Sequence, residues 1–220
     1  MLLRFFRNDG AASPAVAEYV EVADDGALTG WRSVAAVVGW FAGGLADAER
    51  DDLRAAVSGF GAAEPDPPPP GAATETLELG DRDPMDVSGV GAEGALGALV
   101  GTARHLLDEV LLTQPRAAVA LEADPPRLVH RGTDPLTLDL TAVTLQAHHW
   151  RGYYESAGSA AEVLTGERVE AGPGWTLDLP AVPTPDGDDL TTHLTVDLGI
   201  VSGDTVVAVQ VQHLPEIAQP

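Results

Sequence analysis

After Pro115, apolar and polar residues alternate in short runs, and no stretch repeats convincingly at helical spacing. Leu136, Leu138 and Leu140 alternate with Thr137, Asp139 and Thr141, the pattern of a strand with one face in a core and one in water. The apolar parity then flips to Val143, Leu145 and Ala147, which predicts a bulge or bend near Thr141-Ala142. Leu194, Val196, Leu198 and Ile200 run up to Ser202-Gly203-Asp204, a hairpin turn. Val207, Val209 and Val211 run back, with Gln210 and Gln212 facing the other way. Residues 116–122, 127–131, 162–170 and 175–179 add further strand candidates, the last two separated by Ala171-Gly172-Pro173-Gly174. Short strands with frequent turns predict an antiparallel β-sandwich over residues 116–220.

The first half mixes both periods. Residues 2–7, 17–22 and 27–32 read as strands, the last two joined by the turn Asp24-Asp25-Gly26. Val34, Val37, Val38 and Phe41 fall at helical spacing, interrupted by Gly39, Gly43 and Gly44. Residues 47–60 predict a firmer helix. Asp47, Glu49, Asp51 and Asp52 crowd its first turns, where the helix dipole favours negative charge, and Leu53, Ala56, Val57 and Phe60 form its apolar stripe. Four consecutive prolines, Pro67-Pro68-Pro69-Pro70, then hold a stiff loop over 64–73, because proline enters neither a helix nor a sheet interior. Residues 75–80 form a short strand. Residues 92–112 form the strongest helix, with Leu96, Leu99, Ala103, Leu106 and Val110 stepping by three and four. Arg104 and Asp108 sit at i, i+4 on another part of its surface. The expected fold class is α+β: a small α+β domain over 1–115 followed by the sandwich over 116–220.

Charge limits the partners. The 220 residues carry 34 carboxylates against 12 basic groups, a formal net charge of −22, and every basic residue is Arg. Seven arginines stand against nineteen carboxylates up to Pro115 and five against fifteen beyond it, so the acidity is spread along the chain. Such a surface repels phosphate backbones and anionic lipid, so neither nucleic acid nor membrane is expected as a partner. The absence of cysteine excludes disulfides, thiolate zinc sites and a cysteine nucleophile. Met1-Leu2-Leu3-Arg4-Phe5-Phe6-Arg7 lacks the apolar run of a signal peptide, and the longest apolar stretch, near 34–45, is too short and too glycine-rich to span a bilayer. A cytoplasmic location is expected.

The histidines are the main candidates for chemistry. His148 and His149 occupy adjacent strand positions and so point to opposite faces, which keeps both from one ion. His193 and His213 come from the two arms of the last hairpin and can approach one of them, which leaves a metal-dependent enzyme as an alternative reading. His105 lies beside the apolar stripe of its helix and His130 near a turn. Asp186-Gly187-Asp188-Asp189 is rich in carboxylates but lacks the spacing of a calcium loop. No nucleophile elbow, zinc-protease helix, P-loop or dinucleotide fingerprint is present. No catalytic residue, metal ligand or cofactor is therefore assigned, and the chain is not expected to be an enzyme.

Two stretches resemble known families. Leu128-Val129-His130-Arg131-Gly132-Thr133-Asp134-Pro135-Leu136-Thr137-Leu138-Asp139-Leu140 looks like the opening strands of immunoglobulin-like bacterial sandwiches, and Val169 to Pro180, with Pro173-Gly174-Trp175 at its centre, is similar to their Pro-Gly-x-x-Trp strand. One such family is the intracellular proteinase inhibitor of bacilli, in which Asn is usual where His130 stands. The first half resembles emfourin, a family of small cytoplasmic inhibitors of thermolysin-like proteases. The likeness lies in the order of elements: a first strand, the acidic helix at 46–57, a Pro-rich break, the strand Thr76-Leu77-Glu78-Leu79 and a final Leu-rich helix. The Ser-Gly-Gly-Phe segment of that family is replaced by Asn8-Asp9-Gly10-Ala11-Ala12. The resemblances imply an immunoglobulin-like sandwich and protease inhibition.

The resulting expectation is a non-enzymatic cytoplasmic protein whose partner is another protein, with a protease implied by resemblance. A structural or assembly component of a larger complex is the second alternative. Loops at 153–161 and 180–189 are the expected contact surface, because Trp150, Tyr153 and Tyr154 adjoin flexible small residues and Asp186, Asp188 and Asp189 add charge.

Overall fold

Strand dominates the computed structural model, which describes residues 1–10, 15–61, 73–151, 155–183 and 190–214. The chain divides into two units, one of Met1–Arg32 with Trp40–Pro115 and one of Ser33–Gly39 with Arg116–Pro220.

The first unit begins with β1 (Leu3–Asp9), β2 (Val16–Val22) and β3 (Ala27–Arg32). In the segment read as a helix, the chain instead forms β4 (Val34–Ala35) and β5 (Val37–Gly44), of which β4 and the start of β5, through Gly39, belong to the second unit. The physical reason lies at Gly39, whose φ of 127° is closed to ordinary side chains and whose absent Cβ would stand 2.5 Å from the Ala117 carbonyl oxygen. Two β-branched residues before it and Trp40-Phe41 after it favour strand. There follow α1 (Asp47–Gly59), β6 (Thr74–Leu79), β7 (Met85–Asp86) and α2 (Gly94–Val110). The strands lie in the order β5-β3-β2-β1-β6-β7.

Register sets the buried face of this sheet. Phe5 pairs with Val20 and Leu77, and Leu3 with Val22 and Leu79, all fully or almost fully buried. On the same parity, the next row is ionic: Arg7 pairs with Glu18 and Glu75, and Glu18 with Arg32. Arg7 Nε donates to Glu18 Oε2 (3.1 Å) and Arg32 Nε to Glu18 Oε1 (2.8 Å). Helix α2 completes the row: Arg104 donates to both Glu75 oxygens, and Asp108 lies 3.6 Å from Arg7. Arg104 and Asp108, which lie off the apolar stripe as expected, therefore add polar links from the helix to the sheet. A buried carboxylate is tolerated only when paired: Glu18 is held by Arg7 and Arg32, and Glu75 by Arg104. On the opposite face Phe6, Tyr19 and Trp31 stand in register, with Arg4 over the Tyr19 ring.

The second unit holds β8 (Pro115–Ala123), β9 (Pro126–Gly132), β10 (Leu136–Arg151), β11 (Glu155–Leu164), β12 (Arg168–Ala171), β13 (Thr176–Asp178), β14 (Leu190–Ser202) and β15 (Thr205–His213). One run of strands is β13-β9-β8, and the other is β11-β10-β14-β15-β4, with β12 also on β10. The hairpin at Ser202–Gly203–Asp204 forms as expected between β14 and β15. The segment expected as one strand over 162–170 is split between β11 and β12, and the stretch 155–161, expected in a contact loop, is strand paired with β10.

The expected bend is also present. Between Asp139 and Thr144 the pairing of β10 with β14 slips, and Thr141 and Ala142 are exposed while Leu140 and Val143 are buried. Asp139 makes this bend: its Oδ1 accepts the Thr141 N–H (3.1 Å) and hydroxyl (2.5 Å), and its Oδ2 accepts Arg168 Nε (2.9 Å). The Thr141 hydroxyl and N–H, then Arg168, hold the Asp139 carboxyl below its usual range.

Candidate functional site

Helix α1 starts where the Ala46 N–H finds an acceptor, the Glu49 side chain at 2.8 Å, and Asp47 and Glu49 sit in its first turn. Leu53, Val57 and Phe60 turn inward and are buried. In α2, Leu99, Val100, Ala103, Leu106, Leu107 and Val110 are buried.

Beside these core stripes, each helix presents a second one. On α1 it is Glu49, Asp52, Leu53 and Ala56; on α2 it is Ala95, Ala98, Leu99 and Thr102. Both step by three, one and three, the spacing of a single helical face. Ala56, Gly59, Ala95 and Ala98 are exposed and too small to meet across the gap, so the two helices leave a groove of about 540 Å³. Its floor is Leu53, Leu99 and Phe60, and Glu49 and Asp52 stand on its rim. The volume is in the range of ligand-binding clefts.

The polar groups of the groove are chemically quiet. Thr102 Oγ1 donates to the Ala98 carbonyl of its own helix at 3.0 Å, and Glu49 caps α1. The α1 cations are held nearby: Arg50 by Asp47 and Asp51, and Arg54 by Asp51 and the Asp24 carbonyl. The rim therefore keeps a negative field. Sequence reading found the core stripes and missed the groove; the signal for it was the run of small residues at the same spacing on both helices.

The residues expected to make contacts fare differently. Trp150 lies near the end of β10, its ring centroid 6.2 Å from that of His193. Tyr153, Tyr154, Asp186, Asp188 and Asp189 lie outside the described residues.

The histidines separate as strand alternation requires. His149 is 1% exposed and its Nδ1 lies 2.9 Å from Thr192 Oγ1, on the face that carries Ala147 and Leu194. His148 takes the other face, directly opposite His193. Burial, and then the neighbouring His148 and His213, push the His193 pKa down. On this second face Asp197 accepts Gln146 Nε2 (3.3 Å) and Gln210 Nε2 (2.8 Å), a polar ladder across three strands. His130 is buried with Nε2 at 2.9 Å from the Asp134 carbonyl, and His105 lies exposed beside Glu109. Among the described residues no three His, Cys, Asp or Glu side chains converge in a way that could hold a metal ion. No described helix is long and apolar enough to cross a membrane.

Comparison of the chain with protein-family models, with curated proteins and with solved structures finds no match.

Proposed function

We propose that this chain is a non-enzymatic, cytoplasmic protein-binding protein that receives a segment of its partner in the groove between α1 and α2. The observation that carries the reading is the groove itself: an apolar floor of Leu53, Phe60 and Leu99 between small exposed residues, with carboxylates on the rim. The fitting occupant is an amphipathic segment with aliphatic anchors at i, i+3 and i+4 and Lys or Arg flanking them, since an apolar helix face in an apolar groove is a recurrent mode of recognition. The net charge of −22 steers a basic partner toward the chain and repels acidic ones. Protease inhibition is the specific form of binding that the likeness to emfourin and to the intracellular proteinase inhibitor implies. An immunoglobulin-like sandwich is the arrangement proposed for the second unit, supported by the alternating burial along β10 and β14.

Fluorescence anisotropy with labelled helical peptides of this pattern tests the reading. Ala98→Trp fills the groove and Asp52→Lys reverses its rim, so each is expected to weaken binding about tenfold or more, the scale of one lost anchor or charge pair. Equal affinity for basic and acidic versions of the peptide, or binding unchanged by Ala98→Trp, would remove the groove as the site. A thermolysin-like protease assayed with excess protein tests inhibition separately: undiminished protease activity removes that half and leaves the binding claim to the peptides.

A further inference from the structure

The other face of β10 and β14 carries chemistry that the groove does not use. His148 and His193 are register partners on adjacent strands, with β11 flanking one and β15 the other. Partners in an antiparallel pair stand on one face with Cβ atoms about 4.5–5.5 Å apart. That separation lets two imidazoles turn toward one ion at the roughly 2.0–2.1 Å of a metal–nitrogen bond.

The flanking positions point the same way. Trp150 follows His148 by two residues on β10, and Thr195 follows His193 by two on β14, so all four lie on one face with the histidine pair in the middle. The Trp150 indole N–H and the Thr195 hydroxyl are both buried and find no hydrogen-bond partner among the described residues. Buried polar atoms are ordinarily satisfied, and two orphans on either side of a histidine pair mark a place where something else accepts their protons. Water molecules completing the shell of a cation are acceptors of that kind.

We propose that His148 and His193 form a two-imidazole site for a late first-row divalent cation of the Ni²⁺, Cu²⁺ or Zn²⁺ type. Imidazole suits these ions, whereas Mg²⁺ and Ca²⁺ require oxygen. The protein supplies two ligands and water the rest, with Trp150 and Thr195 hydrogen-bonding to that water as an outer shell. An open shell of this kind binds reversibly. The strongly negative chain raises the local concentration of cations.

Calorimetric titration of the whole protein with NiCl₂ and with ZnCl₂ at pH 7.5 is the test. The expected result is one ion per chain, with His148→Gln and His193→Gln each lowering affinity by roughly tenfold or more, at least the effect of losing a supporting partner. His105→Gln and His213→Gln are expected to leave it unchanged, and MgCl₂ to give no heat of binding. Both target histidines are half-exposed, and the metal-induced rise in Tm gives a second reading on each folded variant. No binding by the wild type, wild-type affinity in His148→Gln or His193→Gln, or equal loss in His213→Gln would overturn the assignment.

Discussion

Arg104 on α2 spans to Glu75 on β6, its Nε at 3.2 Å from one carboxylate oxygen while Nη2 bonds the other. Its remaining Nη1 donates to the Val90 carbonyl at 3.0 Å, so a single side chain ties the helix to a strand and to the loop before the helix. The Glu75 N–H in turn donates to Ser88 Oγ at 2.8 Å, which fixes the same strand to the segment just after β7. One wall of the groove, α2, is thus positioned by an ion pair as well as by its apolar stripe.

Removing one member of that pair isolates a buried charge. Arg104→Met is expected to cost about 2–3 kcal/mol, at or just below the low end of the cost of breaking a fully buried pair, because the arginine is one-third exposed. Arg104→Met with Glu75→Leu is expected to recover most of the loss, since an apolar pair of similar volume replaces both charges. Urea unfolding measures both; a single variant within about 0.5 kcal/mol of wild type would show that Glu75 does not depend on this arginine.

Gly30 on β3 makes the approach of α2 possible. A Cβ there would stand 2.6 Å from Val110 Cγ1, inside any real contact distance. Gly30→Ala is expected to destabilise by about 1–3 kcal/mol through overpacking. Adding Val110→Ala relieves the clash, so the double variant is expected to lose less than the sum of the singles. Strict additivity would mean that the two residues do not meet.

Much of this architecture was legible because period and parity carry it. The stripes of both helices, the strands on either side of them and the bend at Thr141 all follow from spacing, and spacing survives folding. The 34–44 segment was not legible in the same way. Val34, Val37, Val38 and Phe41 satisfy a helical period, and only tertiary placement reveals that Gly39 sits against the Ala117 backbone with a φ of 127°. Gly39→Ala is therefore expected to cost about 2 kcal/mol or more, from strain and clash together. A loss of only the few tenths typical of an open site, read by the same urea titration, would restore the local reading.

The candidate sites were half legible. Alternation alone separated His148 from His149, but which histidine would meet which depended on the β10–β14 register, and that register is shifted by the bend at Asp139. The groove depended on what is missing: alanines and a glycine mark it by failing to fill space, and an apolar-stripe search passes over them.

The bend offers the clearest pH test, because its carboxylate titrates well away from neutrality. Asp139 is held below its usual range by the Thr141 hydroxyl and N–H and then by Arg168. The folded state thus resists protonation more than the unfolded chain does. Its contribution is complete above the unfolded value of 3.8 and declines as pH falls through the lower folded value. Asp139→Asn removes that dependence. The variant is expected to unfold at lower urea than the wild type at pH 7, and the gap is expected to narrow as the pH drops below about 4, where the unfolded carboxyl takes up its proton. A gap of constant size from pH 7 to pH 3 would show that Asp139 acts through its shape and hydrogen-bond count, with its charge contributing nothing to the bend.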